Sequence, residues 1–162
     1  MGKGQRLWGV LVLVLLLSCC GAPKNGYVPG DTISTYWFEF VVENVARGDT
    51  YAGYRTQEGA DLVICDLKLK NTFDEAVPMG WMDFVLVRTG GEESGVYPLT
   101  TLSQEQLPEV YHLEVEGQIS GQLVFEVPEK VSGLCLVFQE RYAETGGEAD
   151  YKEGVSYRVA LD

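Results

Sequence analysis

The sequence predicts an all-β domain, an antiparallel sandwich of about seven to eight strands. Three observations carry that prediction. Apolar and polar residues alternate with period two in one run after another, as half-buried strands require. Sustained helical periodicity is absent. Glycine, 19 residues in all, is spread along the chain, and Gly, Asn, Asp and Pro separate the runs.

The runs follow in order. In TYWFEFVVENV, Phe38, Phe40 and Val42 alternate with Glu39, Val41 and Glu43. In DLVICDLKLKN, Val63, Cys65, Leu67 and Leu69 form one face and Asp66, Lys68 and Lys70 the other. WMDFVLVR puts Phe84 and Leu86 together. GQLVFEVP groups Leu123, Phe125 and Val127, with Glu126 outward and Pro128 ending the run. LCLVF offers Leu134, Leu136 and Phe138. GVSYRVALD sets Val155, Tyr157, Val159 and Leu161 against Ser156, Arg158 and Ala160. One charged face per run marks antiparallel sheets packed on a shared core. Between the runs, Ser103 followed by Gln106 three residues on allows one short helical turn at Leu102 to Gln106.

Ahead of this domain lies an address label. Lys3 and Arg6 precede the apolar run Leu7 to Leu17, and Ser18 and Cys19 follow it. A positive start, a short apolar core and a small residue describe a secretory signal peptide. A permanent membrane helix needs about 20 apolar residues, more than this run has. A buried N-terminal helix would show a polar stripe, which is lacking. Leu16-Leu17-Ser18-Cys19 resembles the bacterial lipobox. That resemblance implies a diacylglycerol on the Cys19 thiol and cleavage just before it. Cleavage after Ala22 is the rival reading. The expected organisation is a signal peptide over 1–18, a short Gly- and Pro-rich tether over 19–31 and one domain over 32–162. So short a tether keeps the domain near the membrane.

From Cys19 onward the chain has 144 residues, enough for one domain with a real core. The formal charge is −12, and the only charges in the first 26 residues are Lys3, Arg6 and Lys24. The remainder therefore carries about −15. Such a domain is repelled by nucleic acid and by anionic lipid heads, so lipid rather than charge must hold it at a membrane.

No catalytic constellation stands out. His112 is the single histidine, and a Ser-His-Asp site needs partners that cannot be named here. One His and two distant cysteines do not make a zinc site. Glu92 and Glu93, and Glu144, Glu148, Asp150 and Glu153, match a calcium loop only loosely; a solvated acidic loop is the simpler reading. No cofactor or metal is expected. Arg47-Gly48-Asp49 spells an integrin-recognised tripeptide, but reads first as a turn with Gly48 at positive φ. Glu114 and Glu116, two apart, would share a strand face and are the residues an envelope-acting enzyme would use. Trp37, Trp81, Tyr97 and Tyr111 either pack the sandwich ends or form a platform for a sugar or protein. Cys65 and Cys135 could bridge two sheets. The alternation points Cys65 inward and Cys135 outward, so two free thiols are expected unless Gly133 supplies a bulge.

Taken together, GDTISTYWFEFVVENV, LVICDLKLKN, VPMGWMDFVL, QISGQLVFEVPE and LCLVFQE resemble the exported, lipid-anchored proteins of the domain-of-unknown-function 4352 family of Gram-positive bacteria. That family is related to the immunoprotective extracellular antigen of mycobacteria. The resemblance runs from about Gly30 to Leu161 and implies an immunoglobulin-like antiparallel β-sandwich. Asn71 and Gly121 match family positions that shape turns. Cys65 stands where Val or Ile is usual. The family offers no catalytic residues to carry over. The implied function is a lipid-anchored extracytoplasmic module that meets an envelope protein or glycan, with an envelope-acting enzyme or accessory factor, or a structural spacer, as alternatives.

Overall fold

The computed structural model of the chain describes residues 24–90, 95–143 and 151–162. In chain order the strands are β1 (Lys24–Tyr27), β2 (Ile33–Ser34), β3 (Phe38–Gly48), β4 (Thr50–Tyr51), β5 (Tyr54–Arg55), β6 (Ala60–Asn71) and β7 (Val77–Gly80). A 3₁₀ turn, Trp81–Asp83, leads into β8 (Phe84–Arg88). There follow β9 (Val110–Leu113), β10 (Gln118–Pro128), β11 (Leu134–Ala143) and β12 (Tyr151–Ala160). The signal peptide and Cys19 lie outside the described residues.

Two four-stranded sheets form the sandwich, one ordered β1-β12-β11-β8 and the other β10-β6-β3-β2. The ribbons β4–β5 and β7–β9 are added to them. In immunoglobulin lettering β3, β6 and β10 take the places of A, B and E, and β8, β11 and β12 those of C, F and G. β1 pairs with β12 in parallel, and the other pairings of the two sheets are antiparallel. Lys24–Tyr27, which the sequence reading assigns to the tether, thus form an edge strand. A short edge strand held by backbone hydrogen bonds needs no side-chain alternation, so no periodic signature marks it.

The alternating residues meet as predicted. Phe38, Phe40 and Val42 of β3, Val63, Cys65, Leu67 and Leu69 of β6, and Leu123, Phe125 and Val127 of β10 are buried. They face Phe84 and Leu86 of β8, Leu134, Leu136 and Phe138 of β11, and Tyr157 and Val159 of β12. Aromatic edges join the sheets: Phe38 and Phe138 lie 4.9 Å apart, and Phe40 and Phe84 5.4 Å, both T-shaped.

The outer face of β6–β10 departs from simple alternation. Leu62 and Val124 are out of phase with the core yet fully buried. The β4–β5 hairpin bonds to this face at Gln122 and Glu126, on either side of Val124 along β10. It turns at Ala52 and Gly53, both at positive φ, as a tight hairpin demands. Tyr51 Oη donates to Gln122 Oε1 at 2.6 Å, and Tyr54 Oη donates to Glu126. The turn is therefore not at Arg47-Gly48-Asp49. Gly48 ends β3 without positive φ, and Asp49 pairs with Arg55 at 2.6 Å.

A strap over residues 99–107 runs along the free edge of β10. Leu99 N donates to Val124 O, and Leu107 N to Gln122 O. Gly121 admits this strap, since a Cβ there would stand 2.9 Å from Leu107 N. It lies inside β10 and shapes a close approach rather than the expected turn. The predicted Ser103–Gln106 motif appears as a turn, not a helix: Ser103 Oγ accepts from Glu105 N and Gln106 Oε1 from Ser103 N.

Candidate functional site

One end of the sandwich carries a cleft of about 320 Å³, whose lining includes Trp37, Phe73, Pro78, Met79, Asp83 and Arg141. It lies where β3 begins, β6 has just ended and β11 approaches its end. Its floor is core: Phe38 and Phe138 reach it from below.

Local turns hold each wall. Before β3, Thr35 Oγ1 accepts from Trp37 N and Phe38 N, and donates to Phe38 O. This side-chain turn aims Trp37 at the cleft while Phe38 enters the core. Tyr36 N donates to Glu140 Oε1 at 2.9 Å. Glu140 is itself buried and accepts from Tyr157 Oη at 2.8 Å and Val155 N at 3.4 Å. The carboxylate thereby ties the Tyr36–Trp37 corner to β11 and β12.

After β6, Asn71 is buried and organises the opposite wall. Its Nδ2 donates to Glu75 O and Leu113 O, both at 2.8 Å, and its Oδ1 accepts from Phe73 N at 2.7 Å. Phe73 is held there against Tyr36, with ring centroids 5.6 Å apart; Tyr36 and Trp37 meet edge-on at 5.5 Å.

The cleft also carries charge. Asp83 ends the 3₁₀ turn and accepts from Gly80 N at 2.7 Å. Burial of its carboxyl pushes its pKa upward, against the opposing pull of that bond and of the Arg141 charge. Tyr111, on β9 opposite Met79, has its hydroxyl buried with no partner among the described residues. Burial, and then the Asp83 charge, push its pKa upward. Aromatic walls, a carboxylate and a guanidinium at one opening suit recognition of a mixed apolar and polar ligand.

The other candidates do not converge. His112 is exposed on β9, opposite Pro78. Glu114 and Glu116 lie on no strand: they belong to the β9–β10 turn, closed by Gly117 N donating to Glu114 O at 2.7 Å, with Glu116 at φ 58°. The sequence missed the turn because Leu113, Val115 and Gly117 keep an apparent alternation through it. Glu92, Glu93, Glu144, Glu148 and Asp150 lie outside the described residues, and of Glu153 only its place on β12 is described. Tyr97 is exposed, and Trp81 is half-buried in the 3₁₀ turn.

Cys65 and Cys135 are unbridged, on β6 and β11. Cys65 sits in the core, where burial and then the Asp66 charge push its pKa up to about 12. Cys135 is half-buried, 3.3 Å from Thr89 Oγ1. Phe73, Asp83 and Arg141 were missed as site residues. They stand in or beside loops and at a strand end, where no periodicity marks them.

The family model described as Domain of unknown function (DUF4352) matches residues 27–149. The chain belongs to this family. Among solved structures, this DUF4352 domain is similar to the yjhA protein from Bacillus subtilis, at 17% identity and a TM-score of 0.64, over 85% of this chain and all of that one. It is also similar to ycdA from Bacillus subtilis subsp. subtilis str. 168, described as a candidate lipoprotein, at 16% identity and a TM-score of 0.55. That match covers 80% of this chain but only 38% of ycdA. An uncharacterised β-sandwich protein from Clostridium difficile 630 matches at 11% identity and a TM-score of 0.50, over 88% of this chain and 95% of that one. These likenesses establish the β-sandwich fold. No curated protein matches the chain significantly. Among the described residues no helix is long and apolar enough to cross a membrane.

Proposed function

We propose that this DUF4352 protein is a lipid-anchored, extracytoplasmic binding module of a Gram-positive cell envelope. Its N-terminal lipid on Cys19 holds it at the outer face of the membrane, and its partner is an envelope protein or glycan. The observation that carries the binding role is the cleft, where Trp37 and Phe73 stand beside Asp83 and Arg141. Rigid aromatic walls with a few charged groups are how small recognition sites gain affinity and orientation together. The lipobox at Leu16 to Cys19, the resemblance to exported relatives of the mycobacterial antigen and the description of ycdA support the anchor and the address. The acidic pair Glu114 and Glu116 gives an enzyme reading no support, because an exposed turn does not hold two carboxylates at a fixed separation around a substrate.

Two measurements test the reading. Radioactive fatty acid should label the protein in cells, and Cys19→Ala should abolish the label. Wild-type protein should capture a specific envelope component that Trp37→Ala and Arg141→Ala each lose. Equal capture by all three proteins would exclude the cleft as the site.

A further inference from the structure

We infer that the cleft takes an extended peptide segment as an added strand, paired with the main chain of β11 at Gln139 and Arg141. The inference rests on the cleft being the binding site, as proposed above, and names its partner: a stretch of another protein in which apolar and basic residues alternate.

The direction of the β11 backbone supplies the first step. Adjacent residues of a strand turn their N–H and C=O groups to opposite neighbours. Two bonds fix the sides on β11: Leu161 N donates to Leu134 O, and Thr89 N to Gly133 O. Even-numbered residues therefore bond toward β12 and odd-numbered ones toward β8. From Gln139 to Arg141 the partner moves from Ser156 to Glu153, so the extra residue of this bulge belongs to β12 and the parity of β11 holds. β8 begins at Phe84, opposite Phe138. Before Phe84 the chain turns away through Trp81–Asp83 to β7, which pairs with β9. The N–H and C=O groups of Gln139 and Arg141 thus face a side on which no strand pairs with them among the described residues. Both residues line the cleft. An unpaired strand edge is a template for another strand.

The second step separates this edge from the opposite wall. Trp81 N donates to Glu109 O, so Val77 and Met79 bond toward β9, and Pro78 and Gly80 face the other way. Pro78 has no N–H. Gly80 N already donates to Asp83 Oδ2. The free side of β7 therefore offers no donor, and an added strand finds its donors on β11. The Gln139 side chain does not compete for them. Its Nε2 donates to Glu140 O and Gly154 O, on the β12 side.

The third step is the chemistry of the segment. Side chains of an added strand alternate between the cleft floor and solvent. Phe38, Phe138 and Met79 line the cleft, so the inward set is apolar. Glu75 and Asp83 outnumber Arg141 along the lining, and the chain carries a formal charge of −12, so the outward set is basic. A cleft of about 320 Å³ lies at the low end of the roughly 300–1,000 Å³ of ligand pockets, which suits a short stretch of chain rather than a folded surface. A glycan matches the rings but has no backbone of alternating N–H and C=O groups to match this edge.

The test selects a random decapeptide library, displayed on phage, against the purified protein, and then uses the strongest sequence as a synthetic peptide. Enriched sequences should alternate apolar residues with Lys or Arg. Methylating alternate peptide nitrogens in one register should weaken binding about tenfold, and in the other register hardly at all, because only one set of N–H groups faces β11. Amide exchange at Gln139 and Arg141 should slow at least about tenfold with the peptide bound. Arg141→Pro removes an outward N–H that an edge strand can spare, and should lose more binding than Arg141→Ala, which removes only the guanidinium. If Arg141→Pro does not fold, the methylation series and the exchange rates decide. Peptides indifferent to the methylated register, or unchanged exchange at both amides, overturn the added strand. An N-acetylglucosamine tetramer that binds and is lost in Trp37→Ala, with no peptide enriched, overturns the peptide and keeps the cleft. Dimers of the protein that Arg141→Pro abolishes put a second copy at this edge and overturn the partner named here. Binding of neither probe that depends on Trp37 or Arg141 overturns the cleft reading and this inference together.

Discussion

Asn71→Ala probes the link between fold and cleft most directly. The side chain makes three hydrogen bonds, to Glu75 O, Leu113 O and Phe73 N, from a residue only 1% exposed. Each such bond contributes about 1 kcal/mol net, and a buried group left unmatched costs about 1–3 kcal/mol. The Leu113 carbonyl is the buried one; water can partly reach the other two partners. The expected loss is therefore about 2–4 kcal/mol, a large share of the roughly 5–15 kcal/mol that holds a domain together. Urea unfolding reads it as a midpoint lowered by about 1–2 M with an unchanged slope. Asn71→Asp sharpens the test. It keeps the oxygen for Phe73 N but replaces both donors with a charge facing two carbonyls. The folded state then raises the carboxyl pKa above its unfolded value, so stability is best below about pH 4 and is lost as pH rises through the folded value. A midpoint shift under about 0.3 M for Asn71→Ala would show that water replaces all three bonds and that Asn71 does not organise this wall.

Three further outcomes follow from the same geometry. Gly121→Ala drives a Cβ against the Leu107 amide and should cost about 1–3 kcal/mol, read by thermal unfolding; wild-type stability would mean the strap shifts freely. Gly53→Ala places a side chain at φ 85° and should cost about 1 kcal/mol, with proteolysis of the β4–β5 hairpin as the second readout. Cys65, raised from an ordinary 9.0 to about 12, contributes stability that is present below pH 9 and lost as pH rises toward 12. Its share of the loss is about 1 kcal/mol by pH 10, and Cys65→Val should remove that share; an unchanged alkaline slope would count against a buried thiol there.

The strands were legible because each buries one face and exposes the other, and that constraint writes period two into the sequence. Phe38, Phe40, Val63, Leu67, Phe125 and Tyr157 all point where their phase says. What failed shares one cause. Leu62 and Val124 are buried on a face to which a hairpin and a strap from elsewhere in the chain are bonded. Gly121 answers to Leu107, fourteen positions away, and Asn71 to Leu113. β1 takes its hydrogen bonds from β12, more than 120 residues on. Local pattern reports what a strand's own two faces meet; it does not report what a distant segment lays across them.

The same limit explains why the cleft was hidden. Its residues reach it from the entry to β3, the exit of β6, the 3₁₀ turn and the end of β11. Each is a place where alternation stops, so each side chain is free of the core's requirements and carries no periodic signature. Trp37 shows the consequence. Its phase, opposite to Phe38, excluded it from the core, and that exclusion was the only sequence sign of its role. Out-of-phase aromatics at strand entries are therefore the residues to examine first in a sandwich of this kind. An exposed-phase Trp or Tyr at the start of a strand either finds a partner ring, as Tyr36 and Trp37 do, or meets whatever lies beyond the end of the sandwich.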